Sequence, residues 1–302
     1  MIKQYLQDLP HDIQLSCRSA GEKGRPVLVF LHGFPEAAFV WDEMLTHFAK
    51  PENGGYRCIA PNLRGFELSS APKEVSAYRP KHLVRDIAAL IDAEGCQIEC
   101  LVAHDWGGAV AWNLAAQHQH LMKKLAIINS PHPGTFLREL QHSPKQQAAS
   151  AYMNFLTRPD AEKLLAEDDF RRLFAFFMPF SNVNGIQGPR VAPGWLTDEV
   201  RTQYRDVWKH GLTGPLNFYR ASPLKPGPEI ANVAIPRELL GVNLRTLVLW
   251  GMGDIALSPA LVDGLVDYVP HMELKKIEGA THWIIHQQPA LVAQHLQDCL
   301  AS

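Results

Sequence analysis

Short apolar runs alternate with segments of helical spacing along the first part of the chain. Ile13 to Cys17 and Val27 to Leu31 predict strands, with a Gly/Lys/Arg turn between them. Arg57 to Ala60 predicts another, running into Pro61. From Lys81 to Glu94, apolar residues fall at 83, 84, 87, 90 and 91, which is helical periodicity, and Gly95 supplies the stop. Ile98 to Ala103 predicts a strand, Gly108 to Gln119 a helix and Leu125 to Ile128 a further strand. Strands that alternate with helices imply an α/β chain with a doubly wound, mostly parallel sheet.

The alternation stops after Asn129-Ser130-Pro131-His132-Pro133. Residues 134 to 222 are rich in Phe, Tyr, Arg and Pro and predict helices without a buried strand. Strand character returns at Leu244 to Trp250, followed by an expected helix and a last short strand near Leu274 to Ile277. The expected organisation is a core in two parts, 1–133 and 223–302, carrying a helical cap, or lid, over 134–222. Insertions above strand ends commonly open and close over ligands.

Composition narrows the class. The chain has 302 residues, 46% of them hydrophobic, enough for a sizeable core. Its 29 basic and 31 acidic residues nearly cancel, which argues against a nucleic-acid partner. Five scattered cysteines make neither a disulfide framework nor a zinc knuckle, and free thiols suit a reducing compartment. No apolar run is long enough to span a bilayer, and the N-terminus lacks the apolar region of a signal peptide. A cytoplasmic protein with no membrane partner is expected, and a homodimer stays open.

The chemistry centres on Ala103-His104-Asp105-Trp106-Gly107-Gly108. An apolar strand precedes it and a helix follows, which is the context of a nucleophile elbow. The small residues Ala103 and Gly107 let strand and helix approach closely, and the helix N-terminus favours negative charge at Asp105. An Asp that merely caps a helix is the bland alternative. A carboxylate is already ionised at neutral pH, so it attacks without a base. Attack on saturated carbon gives an alkyl ester that water can cleave, whereas serine would leave a stable ether.

Gly279-Ala280-Thr281-His282-Trp283 follows the last strand and makes His282 the candidate base. Asp254, just past the strand Leu244 to Trp250, is the candidate acid that orients it. The order 105, 254, 282 is nucleophile, acid, histidine. His32-Gly33-Phe34-Pro35 follows an earlier strand, so the Phe34 and Trp106 backbone N–H groups are candidate oxyanion donors. His282 and His286 are spaced i, i+4 like helical metal ligands, but no HExxH glutamate accompanies them. Gly251-x-Gly253-x-x-Ala256 is a loose dinucleotide pattern in the wrong part of the chain. Neither a metal nor an organic cofactor is expected.

With HGFPE (32–36), RCIAPNLRG (57–65), AHDWGGAVAW (103–112), INSPHP (128–133), LVLWG with Asp254, and GATHW with His282, the chain resembles the epoxide hydrolases of the α/β-hydrolase fold. It is more distantly similar to the haloalkane dehalogenases. Ala103 for Gly, Asn62 for Asp and Phe66-Glu67 for Tyr-Gly depart from the family pattern. The resemblance implies two lid tyrosines that donate to the epoxide oxygen. Gly214-Pro215-Leu216-Asn217-Phe218-Tyr219-Arg220 matches the segment of the second, and Ala151-Tyr152-Met153 that of the first, less closely. It implies a small-molecule epoxide substrate and a vicinal diol product. A dehalogenase is the rival enzyme, with Trp195 and Trp208 as candidate halide donors. Fluoroacetate-type dehalogenases usually carry Arg where Trp106 stands. A non-catalytic ligand binder on the same fold is the answer from another class.

Overall fold

The computed structural model describes residues 1–183 and 186–302. Ten strands are present among them: β1 Lys3–Leu9, β2 Ile13–Ala20, β3 Val27–Leu31, β4 Arg57–Pro61, β5 Ile98–His104, β6 Met122–Ile128, β7 Phe180–Val183, β8 Ile186–Arg190, β9 Arg245–Gly251 and β10 Met272–Ile277. Eight form one sheet in the order β1-β2-β4-β3-β5-β6-β9-β10. From β4 to β10 every neighbouring pair is parallel, while β2 pairs antiparallel with both β1 and β4. The α/β sheet expected from the sequence is therefore present, mostly parallel.

The continuous apolar runs are explained by helices on both faces of the sheet. Along β3, Val27, Val29 and Leu31 pack into one buried cluster and Leu28 and Phe30 into the other. The first cluster is covered by α2 (Pro80–Glu94) and α3 (Asp105–Gln117), the second by α1 (Asp42–Phe48) and α11 (Pro289–Ala301). Side chains that alternate across a pleated strand must find apolar cover on each side.

Between β6 and β9 none of the described residues adds a strand to this sheet. It forms α4 (Pro133–His142), α5 (Pro144–Ala149), α6 (Tyr152–Leu156), α7 (Ala161–Phe177), α8 (Asp198–Trp208) and α9 (Thr213–Ala221). Helix α7 is broken at 167–170, where Asp168, Asp169 and Phe170 have positive φ. Alongside these helices, β7 and β8 pair antiparallel as a small separate sheet. The fold departs from the sequence reading at two places. β1 was not foreseen, since as an edge strand it alternates exposed and half-buried residues around mostly polar side chains. No α-helix lies between β9 and β10; only short 3₁₀ turns at Pro259–Val262 and Leu265–Asp267 do, separated by Gly264 at φ 71°. The last helical pair is α10 (Ile284–Gln287) and α11.

The parallel strands all end on the same side. Loops after β3, β5, β6, β9 and β10 therefore meet, and they carry Phe34, Asp105, Asn129, Asp254 and His282. Ligands in open α/β sheets bind at these carboxyl ends.

Candidate active site

Asp105 turns out of β5 with φ 50°, a left-handed conformation that costs about 1–3 kcal/mol for a residue with a side chain. The turn is possible because its neighbours are small. A Cβ on Gly107 would stand 2.6 Å from the carbonyl oxygens of Leu31 and His32, and a Cβ on Gly33 would overlap the Asp105 side chain itself. The Asp105 backbone carbonyl accepts from Ser130 Oγ at 2.7 Å, which fixes the turn to the end of β6.

The Phe34 N–H donates to Asp105 Oδ1 at 2.7 Å. The other carboxylate oxygen, Oδ2, lies 3.6 Å from His282 Nε2. The far side of that ring, Nδ1–H, donates to Asp254 Oδ2 at 2.7 Å. Asp254 Oδ1 accepts from the backbone N–H groups of Ala256 and Leu257, both at 2.9 Å. Asp105, Asp254 and His282, picked from three distant stretches of sequence, thus form one continuous line. Burial works against charge on Asp105, but His282, His104 and the Phe34 N–H outweigh it and hold the carboxyl below its usual range. Burial also disfavours the His282 cation, yet Asp254 and Asp105 raise its pKa to about 10. Two carboxylates around one imidazole keep it protonated.

Two cavities meet at Asp105. One of ≈ 280 Å³ is lined by apolar groups including Leu83, Val110, Phe136, Phe218 and Leu224. The other, of ≈ 390 Å³, runs past His282, Trp283, Phe176 and Arg172. Tyr152 and Tyr219 line both, as does Asp105. Their rings lie 6.2 Å apart, and Tyr219 packs edge-on against Trp106 at 5.1 Å. Burial pushes both phenols well above their ordinary pKa, with the Asp105 charge adding to it, so both stay protonated near neutral pH. The two indoles considered as halide donors are elsewhere. Trp208 Nε1–H is spent on the Pro35 carbonyl at 2.7 Å. Trp195 Nε1 is buried, and Trp195 is absent from the lining of both cavities.

Residues 26–289 match the family model described as alpha/beta hydrolase fold. The chain belongs to this family. It is 34% identical over 291 residues to the AB hydrolase superfamily protein YfhM of Bacillus subtilis, covering 95% of this chain and 94% of that one. It is 32% identical to epoxide hydrolase 1 of Caenorhabditis elegans, covering 95% of this chain and 68% of the relative. The crystal structure of the Bacillus megaterium epoxide hydrolase with an inhibitor superposes with a TM-score of 0.86 at 26% identity, covering 99% of this chain and all of the other.

Three residues of this α/β hydrolase bear on the site although sequence reasoning passed over them. Asn129, in the loop after β6, donates from Nδ2 to Asp254 Oδ2 at 2.8 Å and accepts the Gly251 N–H at 2.9 Å. Glu36 is fully buried and faces His104 Nδ1 at 3.1 Å. His104 Nε2 in turn lies 2.9 Å from the His282 carbonyl oxygen. The one signal for Glu36 was its place in HGFPE, directly after the turn that presents Phe34.

Among the described residues no cluster of three or more His, Cys, Asp or Glu has a metal-holding arrangement. His282 and His286 point to different carboxylates, Asp254 and Glu36. No helix of the described residues is long and apolar enough to cross a membrane.

Proposed function

We propose that the protein is an epoxide hydrolase that converts a small-molecule epoxide to a vicinal diol through an ester on Asp105. The observation that carries this reading is the pair of protonated phenols, Tyr152 and Tyr219, lining the same cavities as an ionised carboxylate. Ring opening of an epoxide makes an alkoxide, and an O–H donor answers that charge best. The segment between β6 and β9 serves as the lid that brings the phenols over the core.

Asp105 attacks a ring carbon while a tyrosine gives its proton to the opening oxygen. His282, charged in the resting enzyme, then restores the tyrosine proton and becomes neutral. Its raised pKa depends partly on the Asp105 charge, and esterification removes that charge. The freed imidazole, held by Asp254, takes a proton from water, and the resulting hydroxide adds to the ester carbonyl. The Phe34 N–H, already on Asp105 Oδ1, and the Trp106 N–H receive the oxyanion. Collapse expels the diol alkoxide, which takes the proton of the new carboxyl group. Asp105 is again ionised and His282 again charged. The names of relatives such as epoxide hydrolase 1 of Caenorhabditis elegans support the substrate class. The dehalogenase reading loses its lid donors, because the Trp208 indole is already bonded.

The test is incubation of the purified protein with a chromogenic epoxide and, separately, a bromoalkane. Diol without bromide supports the reading, and bromide release overturns it. In His282→Gln, intact mass and peptide mapping are expected to find a covalent adduct on Asp105; an unmodified Asp105 in protein that binds the epoxide rejects the mechanism.

A further inference from the structure

His286 was weighed as a metal ligand, yet its Nε2 donates to Glu36 Oε1 at 2.5 Å. The Tyr204 hydroxyl, on α8, donates to the same oxygen at 3.2 Å, and Trp195 stacks on the His286 ring at 4.2 Å, 12° from parallel. The other oxygen of Glu36 takes His104. One fully buried carboxylate thus ties its own loop to three other segments. His104 is the residue before Asp105, and His286 is four residues after His282. Glu36 is two residues after Phe34, and Tyr204 belongs to the segment above the core.

The arrangement is asymmetric toward the base. Asp105 has its own anchors in Phe34 and Ser130. The His282 segment is tied through its carbonyl to His104, and one turn later through His286 to Glu36. Trp283, between them, donates from its indole to the Phe176 carbonyl at 3.1 Å. Removing the His286 bond releases α10 and leaves a buried carboxylate short of a donor. His282 is the reacting group nearest that bond along the chain, and its Nε2 stands 3.6 Å from Asp105 Oδ2.

We infer that His286, through Glu36, is a positioning residue for the second half of the reaction, setting where His282 stands when water attacks the ester. This rests on the covalent reading proposed above. Glu36 supports it electrostatically: burial opposes its charge, but His286 and His104 hold it ionised, well below the usual carboxylate range.

Single-turnover experiments with styrene oxide separate the two steps by quench and intact-mass measurement. In His286→Phe, adduct formation on Asp105 is expected to stay within about threefold of wild type. Adduct hydrolysis is expected to slow at least about tenfold, since a displacement of ~1 Å at a reacting group costs up to ~100-fold. His286→Gln keeps an N–H donor and is expected to recover most of the lost hydrolysis rate. Equal slowing of both steps, no slowing, or a Gln variant no better than Phe in protein with a wild-type near-ultraviolet spectrum overturns the inference. A wild-type protein that turns over epoxide without ever forming the adduct removes the covalent reading itself, and is seen in the same run.

Discussion

Asn129 and His282 donate to the same oxygen of Asp254, at 2.8 and 2.7 Å. The amide fills one side of Oδ2 so that the imidazole has one remaining direction of approach. Asp254 is 7% exposed and its other oxygen is satisfied by backbone, so its orientation is set from both ends.

Replacing that amide by a second acid tests the relationship. Asn129→Asp places two carboxylates in contact, and one of them must hold a proton. Its folded pKa then lies above its unfolded value. The folded state is therefore unhindered at acid pH and loses stability as pH rises through that folded pKa. The variant is expected to unfold about 1–3 kcal/mol more easily at pH 8 than at pH 5, relative to wild type, in urea titrations. An unchanged difference between the two pH values rejects it.

Close approach at the elbow gives a second expectation. Gly33→Ala inserts a methyl group where the Asp105 side chain lies. The carboxylate must move off the Phe34 N–H, and kcat/KM for epoxide is expected to fall at least about 100-fold. Steady-state kinetics on folded protein check this.

The two half-reactions should respond differently to pH. Ester formation needs ionised Asp105, whose pKa is lowered, so its rate is expected to hold steady through neutrality and to drop only in acid below the ordinary carboxylate range. Hydrolysis needs neutral His282. In the free enzyme that ring titrates at about 10, but the Asp105 charge that helps to raise it vanishes in the ester. Hydrolysis is therefore expected to fall as pH drops through a midpoint well below 10. Rapid-quench profiles of the two steps with the same midpoint would contradict the assignment.

The phenols give a fourth. Tyr152→Phe and Tyr219→Phe each keep the ring packing around Asp105 and remove one O–H. Each is expected to slow ester formation by roughly 10–100-fold while hydrolysis of any ester formed changes little, and the double variant to form no measurable adduct. Trp208→Phe, which loses the bond to Pro35 and part of the buried packing on Phe174, Phe177 and Tyr204, is expected to leave the chemistry of adduct formation unaffected and to lower stability by about 1–3 kcal/mol.

Local pattern carried much of this molecule. Apolar runs such as Val27 to Leu31 marked strands covered on both faces, and the turn at Asp105 needed small residues at fixed offsets, so strand, turn and helix could be read within a few residues. The mostly polar edge strand Lys3–Leu9 was illegible because half of it faces solvent. Gly264, at φ 71°, separates the expected helix before β10 into two single turns, a competition between backbone geometry and apolar spacing that local pattern misjudges.

What the sequence alone determined is the chemistry that neighbours along the chain enforce: a carboxylate on a strained turn, an HGFP loop, a histidine after the last strand. Contacts across the fold decided the rest. Asn129 meets Asp254 across 125 positions, and His286 meets Glu36 across 250. No local spacing encodes such pairs. They arise only when parallel strands end together and bring their loops into one buried, poorly screened space, where a polar group without a partner is costly.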